Sequence, residues 1–324
     1  MKSPLLSLPG AVPAEGVDEG VAAHYGDLFR EQRALADGTG FVDLSHRGVV
    51  TVSGEDRLSW LHLLLTQHVS ELPANEATEA LILSAHGHIE HALYLVDDGA
   101  TVWAHVEPGT EQTLIAYLES MKFFYRVEVA DRTGEYAVVH LPAGSIAEAP
   151  EGVAVRETAY GRDLFLPRAD LEAYAADLGR HGPPAGILAH EALRVEQHRP
   201  RLGFETDHRT IPHELGWIGT AVHLHKGCYR GQETVARVQN LGKPPRRLVF
   251  LHLDGSEVHL PAHGTEIRLA DDGPDGRKVG FVTTSARHHE LGPVALALLK
   301  RNVPVDARLL AGDTAAAQEV VVEP

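Results

Sequence analysis

The chain has a single cysteine in 324 residues, Cys228. One thiol excludes an intramolecular disulfide framework, and it suits a reducing compartment better than an oxidising one. Cations are also scarce. Against 45 Asp and Glu stand 29 Lys and Arg, a formal net charge of −16 that opposes nucleic acid over most of the surface. No run of eighteen apolar residues occurs, so no membrane span is expected. The N-terminal stretch MKSPLLSLPGAVPAEG holds one lysine and a short, broken apolar run. Neither a secretion signal nor a transit peptide is expected from it, and the expectation is a cytoplasmic protein. The sequence also lacks a G-x-x-x-x-G-K-S/T phosphate loop, a dinucleotide fingerprint and a G-x-S-x-G elbow.

What is present is an ordinary globular composition, 44% hydrophobic and 23% charged, with enough length for two or three domains. GVVTVS (48–53) alternates like a strand. Ser53 then precedes EDRLSWLHLLLTQ, which reads as a capped amphipathic helix with Leu58, Leu61 and Leu65 on one face. Two strands follow around Gly87. ATVWAHV (100–106) is a further strand. Thr110 is placed to cap a helix carrying Leu114, Leu118 and Met121. YRVEVAD and EYAVVHL alternate on either side of an RTG turn, and short strands lie within 153–166. Asp170 opens a helix that Gly179 ends. This strand–helix–strand–strand–helix order predicts a ferredoxin-like α+β unit. A helix through Ala189–Gln197 comes after GPPAG. From about Arg246 the chain reads as short strands cut by Gly, Asp and Pro turns, a small sandwich or barrel.

The stretch HKGCYRGQE (225–233) sets the lone thiol between Lys226 and Arg230 and beside two glycines. Cations near a thiol favour the nucleophilic thiolate. GQETVARVQ looks helical, and a cysteine at a helix start would gain from its free N–H groups. Gly227 and Gly231 allow positive φ or close backbone approach. The competing reading is an inert buried cysteine. Between Lys226 and Arg247 there are six cations against Glu233, either a solvated basic loop or a docking site for carboxylates or phosphates. Upstream, Arg194 and Glu196 lie near a helix end that Pro200 closes. A carboxylate there suits the paired N–H donors on the edge of a pterin ring, or it is an ordinary surface glutamate. His86, His88 and His91, and His223, His225 and Cys228, form clusters, but neither shows a fourth ligand. No metal site is expected.

KGCYRGQETVAR (226–237) resembles the YgfZ-type folate-binding proteins, whose signature K-G-C-Y-x-G-Q-E matches at every fixed position. The stretches 41–72, 193–217, 279–285 and 292–301 resemble the wider superfamily that includes the glycine-cleavage T-protein. The resemblance implies an α+β fold of three domains: a discontinuous folate-binding domain (20–90 plus 186–245), a ferredoxin-like middle domain (91–185) and a C-terminal β-barrel (246–324). It implies a bound tetrahydrofolate or one-carbon derivative, with Glu196 at the pterin and Arg237 and Arg246 or Arg247 at the acidic tail. Arg194, Tyr229, Gln232 and Glu233 complete the binding residues. Cys228, with Lys226 beside it, is the reactive pair near the folate. A role in iron–sulfur cluster assembly or repair is implied, with client or assembly proteins as partners and an indirect effect on tRNA modification. A monomer is expected, because no heptad or long apolar edge is seen. The T-protein itself, a folate-dependent aminomethyltransferase, is the alternative. Its active-site aspartate falls in a G-x-I-D-D-type stretch, where this chain has GHIEH (87–91).

Overall fold

A computed structural model describes residues 1–256, 259–272 and 276–324. Contacts divide the chain into two units. Unit 1 holds Met1–Ile82, His91–His190 and Lys226–Tyr229, and unit 2 holds Leu83–Glu90, Glu191–His225 and Arg230–Pro324. Among the described residues no helix is long and apolar enough to cross a membrane.

Unit 1 opens with a short ribbon of β1 (Val12–Pro13) and β2 (Ala22–His24), then α1 (Leu28–Ala36), β3 (Phe41–Asp43) and β4 (Gly48–Ser53). Next come α2 (Arg57–Leu64), β5 (Ala77–Leu83), β6 (Ile89–Asp97), β7 (Thr101–Val106), α3 (Glu111–Ser120) and β8 (Glu128–Asp131). It ends with β9 (Tyr136–Pro142), β10 (Ala154–Thr158), β11 (Gly161–Pro167), α4 (Leu171–Leu178) and β12 (Pro184–Ala185). One sheet runs β5-β6-β7-β4-β8, and β4 pairs antiparallel with both β7 and β8. With α2 and α3 as its connections, that order is the ferredoxin-like split βαβ pattern plus one edge strand. The unit therefore starts at β4, not near residue 91, because pairing with β4 joins β7 to β8. Periodicity alone cannot reveal such a pairing. Val50, Val52, Trp60, Leu61, Leu114 and Leu118 share its core. Each such side chain contributes about 1.5–3 kcal/mol on burial. Trp60 satisfies its polar handle by donating Nε1–H to the Met121 carbonyl at 3.0 Å.

Helix α2 is shorter than its sequence suggests. Its N-cap is Asp56 rather than Ser53, and Leu65 is already extended. Asp56 makes no capping bond, since its carboxylate takes the backbone N–H and the guanidinium of Arg126 instead.

The second sheet of unit 1 runs β10-β11-β9-β3-β12 and packs Phe41, Val139, Leu164 and Leu166 against Leu171 and Leu178 of α4. A buried polar cluster is centred on Asp163. His140 Nδ1 lies 2.7 Å from Asp163 Oδ1. His105 Nε2 and Arg156 Nη1 lie 3.2 and 2.9 Å from Oδ2. Burial opposes the charge on Asp163, but the bonds from His105 and His140 hold its carboxyl well below the usual range.

Helix α5 (Ile187–Glu196) runs from unit 1 into unit 2, which also holds α6 (Gln232–Leu241). A closed barrel follows from β13 (Arg246–Leu253), β14 (Glu266–Leu269), β15 (Gly280–His288), β16 (Gly292–Lys300), β17 (Leu309–Ala311) and β18 (Thr314–Val320). Its strand order is β13-β16-β15-β14-β17-β18, filled by Val249, Leu251, Val282, Ala297 and Leu299. Closure removes the sheet edges that short strands would otherwise expose. The fold is α+β with a C-terminal β-barrel.

Candidate functional site

In unit 1 the loop bearing the thiol is anchored by its lysine. Lys226 is buried, and its Nζ donates to the carbonyls of His62 and Leu65, the latter at 2.6 Å. Both carbonyls belong to the C-terminal end of α2, where helix oxygens lack intrahelical partners. His62 Nε2 in turn lies 3.1 Å from the Lys226 carbonyl. Burial pushes the Lys226 ammonium down to about 8, against an opposing pull from Cys228. Tyr229 is buried, its ring 5.1 Å from Lys226 Nζ, and burial pushes its hydroxyl up to about 12. Cys228 is exposed. The buried placement of this cysteine therefore falls away. Helix α6 begins only at Gln232, with Gly231 as its N-cap, so Cys228 lies ahead of its first turn in the sequence. Gly227 has φ +99°, the left-handed region that favours glycine.

In unit 2 the same signature continues into α6. Gly231 has φ +83°, and a Cβ there would sit 2.5 Å from the Ser84 carbonyl and 3.0 Å from Gly87 Cα. Gly87 is as tightly held, since its Cβ would meet Thr234 Cβ at 2.7 Å. Two glycines thus let the β5–β6 turn lie against the start of α6. Arg230 Nη1 pairs with Glu90 Oε2 at 2.8 Å. Gln232, half-buried, and Glu233, exposed, occupy the first turn of α6, and Arg237 is exposed further along it. Arg237 makes no ion pair among the described residues.

Glu196 ends α5 with 42% of its side chain exposed, and its Oε2 lies 3.4 Å from Nε2 of the buried His288. The backbone N–H groups of Glu290 and Leu291 donate to His288 Nδ1, so the neutral ring carries its proton on Nε2, towards Glu196. Burial lowers the His288 pKa, while Glu196 opposes that shift. A carboxylate this exposed can accept two parallel N–H donors from a planar ligand.

Arg194 lies in a different environment. It is buried, bidentate to Glu191 at 3.0 and 3.0 Å, and bonded to Glu205 and to Thr284 Oγ1, each at 3.0 Å. Glu205 is fully buried and takes Thr283 Oγ1 at 2.9 Å and Thr284 Oγ1 at 2.6 Å. Consecutive strand residues normally face opposite ways. The register shift in β15 between Val282 and Thr284 is what lets both hydroxyls reach one carboxylate. Arg246 is engaged on both edges: Nε and Nη2 bond Glu214 at 2.8 Å each, and Nη1 bonds Asp207. Arg247 is buried in the barrel and donates to the Val303 carbonyl at 3.1 Å and to Gln318 Oε1 at 2.8 Å. Of the cations read as a tail-binding set, Arg237 alone is exposed and without such a commitment. Among the described residues no group of three or more His, Cys, Asp and Glu is arranged to hold a metal ion.

No family model matches the chain. An aminomethyltransferase of Herpetosiphon aurantiacus is 27% identical, covering 92% of this chain and 90% of that one. An inferred chloroplastic transferase of Arabidopsis thaliana is 26% identical over 82% of this chain and 66% of that one. The crystal structure of the glycine cleavage system aminomethyltransferase T of Bartonella henselae shares the fold, with a TM-score of 0.81 over 98% of this chain and 94% of that one at 19% identity. The chain is similar to aminomethyltransferases over most of its length and shares the fold of a glycine cleavage T-protein. In the stretch GHIEH, which the resemblance sets against the G-x-I-D-D-type stretch of the T-protein, Glu90 is held by Arg230.

The surroundings of the candidate site include residues that sequence reasoning passes over. His288, Asp207 and Glu214 lie far in sequence from the groups they hold, as Glu205 does from Thr283, and no local periodicity marks them; Glu191 sits one turn before Arg194 on the same helix. The only available signal is chemical: four arginines between 194 and 209 in a chain poor in cations need carboxylate partners wherever they are buried.

Proposed function

We propose that this chain is a YgfZ-type tetrahydrofolate-binding protein that uses Cys228 in the assembly or repair of iron–sulfur clusters. The observation that supports this most is the exposed thiol inside a complete K-G-C-Y-x-G-Q-E run whose lysine is fixed to α2. An inert cysteine has no use for such a mount. Glu196 would accept from the pterin edge, with the His288 ring beside it. Arg237 would meet the acidic tail, and Gln232 and Glu233 would complete the binding residues of unit 2. Arg194 and Arg246 act by positioning, because their guanidinium groups are already bonded to carboxylates. Bound folate supplies the one-carbon chemistry, and the chain supplies orientation and a thiol. Client or assembly proteins are the partners, in the cytoplasm, and effects on tRNA modification follow from cluster supply.

The second reading is aminomethyl transfer, favoured by the names of relatives such as the Herpetosiphon aurantiacus protein. Against it stands GHIEH: a glutamate in place of aspartate reaches about an ångström further, and Glu90 is already paired with Arg230. The two readings separate in a strain lacking the gene. Wild type restores iron–sulfur enzyme activity, and Cys228→Ala does not. Full rescue by Cys228→Ala removes the thiol from the account. Turnover of methylene-tetrahydrofolate with a product released favours the transferase.

A further inference from the structure

Unit 1 carries a cleft of about 430 Å³ that the folate reading does not use. It opens where β7, β9 and β11 approach α4. Trp103, Tyr136, Phe165 and Tyr174 line it, with the carboxylate residues Glu151 and Asp170. The rings are held in place. Trp103 Nε1 donates to Asp98 Oδ2 at 2.8 Å, and its ring meets Tyr136 edge to face, centroids 4.8 Å apart. Tyr174 donates its hydroxyl to the Glu148 carbonyl at 2.8 Å. The two carboxylates are uncommitted. Asp170 stands at the N-cap of α4 without a capping bond, and neither it nor Glu151 forms an ion pair among the described residues. No lysine, arginine or histidine lines the cleft among the described residues.

We propose that this cleft is a binding site for a small organic ammonium ion with an apolar body. Aromatic faces carry negative potential and attract alkylammonium groups, which lose little on leaving water compared with a bare ammonium. The carboxylate residues supply the counter-charge, and a net charge of −16 draws cations from a distance. The volume suits a small molecule. With carboxylates and no basic side chain in its lining, the site is chemically unlike one for the acidic tail of a folate, and it stands whether or not the folate reading does.

The test is calorimetric titration of the full chain with phenyltrimethylammonium and with its uncharged tert-butylbenzene-type isostere. Saturable one-site binding of the cation is expected, with the neutral compound weaker by roughly 3- to 30-fold. Trp103→Ala should abolish the binding. As that variant disturbs packing, the surface variants Asp170→Asn and Glu151→Gln are measured too. Combined, they should weaken binding about 3-fold and flatten its salt dependence. No saturable binding of the cation overturns the proposal, as does equal binding of the neutral isostere or indifference to loss of both carboxylates.

Discussion

Lys226 Nζ donates to the Leu65 carbonyl at 2.6 Å, so the residue two places before the only thiol closes the C-terminus of a distant helix. Lys226→Met leaves the His62 and Leu65 carbonyls without that partner, at a cost of about 1–3 kcal/mol read by urea unfolding. The pH dependence has a definite sign. The folded lysine titrates at about 8 and the unfolded one at the ordinary 10.5. Between those values the unfolded chain binds more protons, so the Lys226 contribution makes stability rise with pH from about 8 to 10.5. That rise should be missing in Lys226→Met. A wild-type profile matching that of the variant over this range would show that the ammonium is not held as described.

Exposure makes Cys228 accessible without unfolding. Intact-mass analysis after maleimide treatment should show one adduct in the native protein, formed at a rate comparable to that in urea. Labelling only after denaturant is added would contradict the exposed placement.

The Asp163 cluster should govern acid stability. His105 points Nε2 at Asp163, its Nδ1 has no hydrogen-bond partner among the described residues, and burial pushes its pKa down to about 4 from 6.5. Between those values the unfolded histidine takes a proton that the folded one refuses. Its contribution is therefore full above about pH 6.5 and lost as pH falls to 4. Thermal unfolding followed from pH 7 to 4 should show this loss in wild type and a shallower one in His105→Gln, which can still donate to Asp163.

Arginines only nine residues apart should separate cleanly. Arg246→Met strands Asp207 and the fully buried Glu214, and should cost about 3–5 kcal/mol in unfolding free energy. Arg237→Ala should change stability by less than about 0.5 kcal/mol. In the proposed reading it weakens tetrahydrofolate several-fold, most for longer glutamate tails. Equal stability losses in the two variants would contradict the assignment.

Much of the fold is legible in the sequence where a single period dominates. GVVTVS, ATVWAHV and RRLVFLHL become β4, β7 and β13 with little change, and Gly179 ends α4 as read. What is not legible is set by distant partners. β4 joins β7 to β8 and so moves the ferredoxin-like unit upstream. Arg126 takes the carboxylate that would cap α2, and Lys226 sits at that helix's far end. The thiol and its glycines are visible as local chemistry. The engagement of Arg194 and Arg246 is not, because an arginine looks the same in a sequence whether its guanidinium is taken or available.

Glu196 carries the central claim, and titration of tetrahydrofolate into wild type and Glu196→Gln tests it most directly. Charge-assisted paired bonds contribute about 1.5–3 kcal/mol, so the variant should bind at least about 10-fold more weakly while unfolding at the same temperature. Equal affinity in the two proteins, or no saturable binding by wild type, would contradict the account.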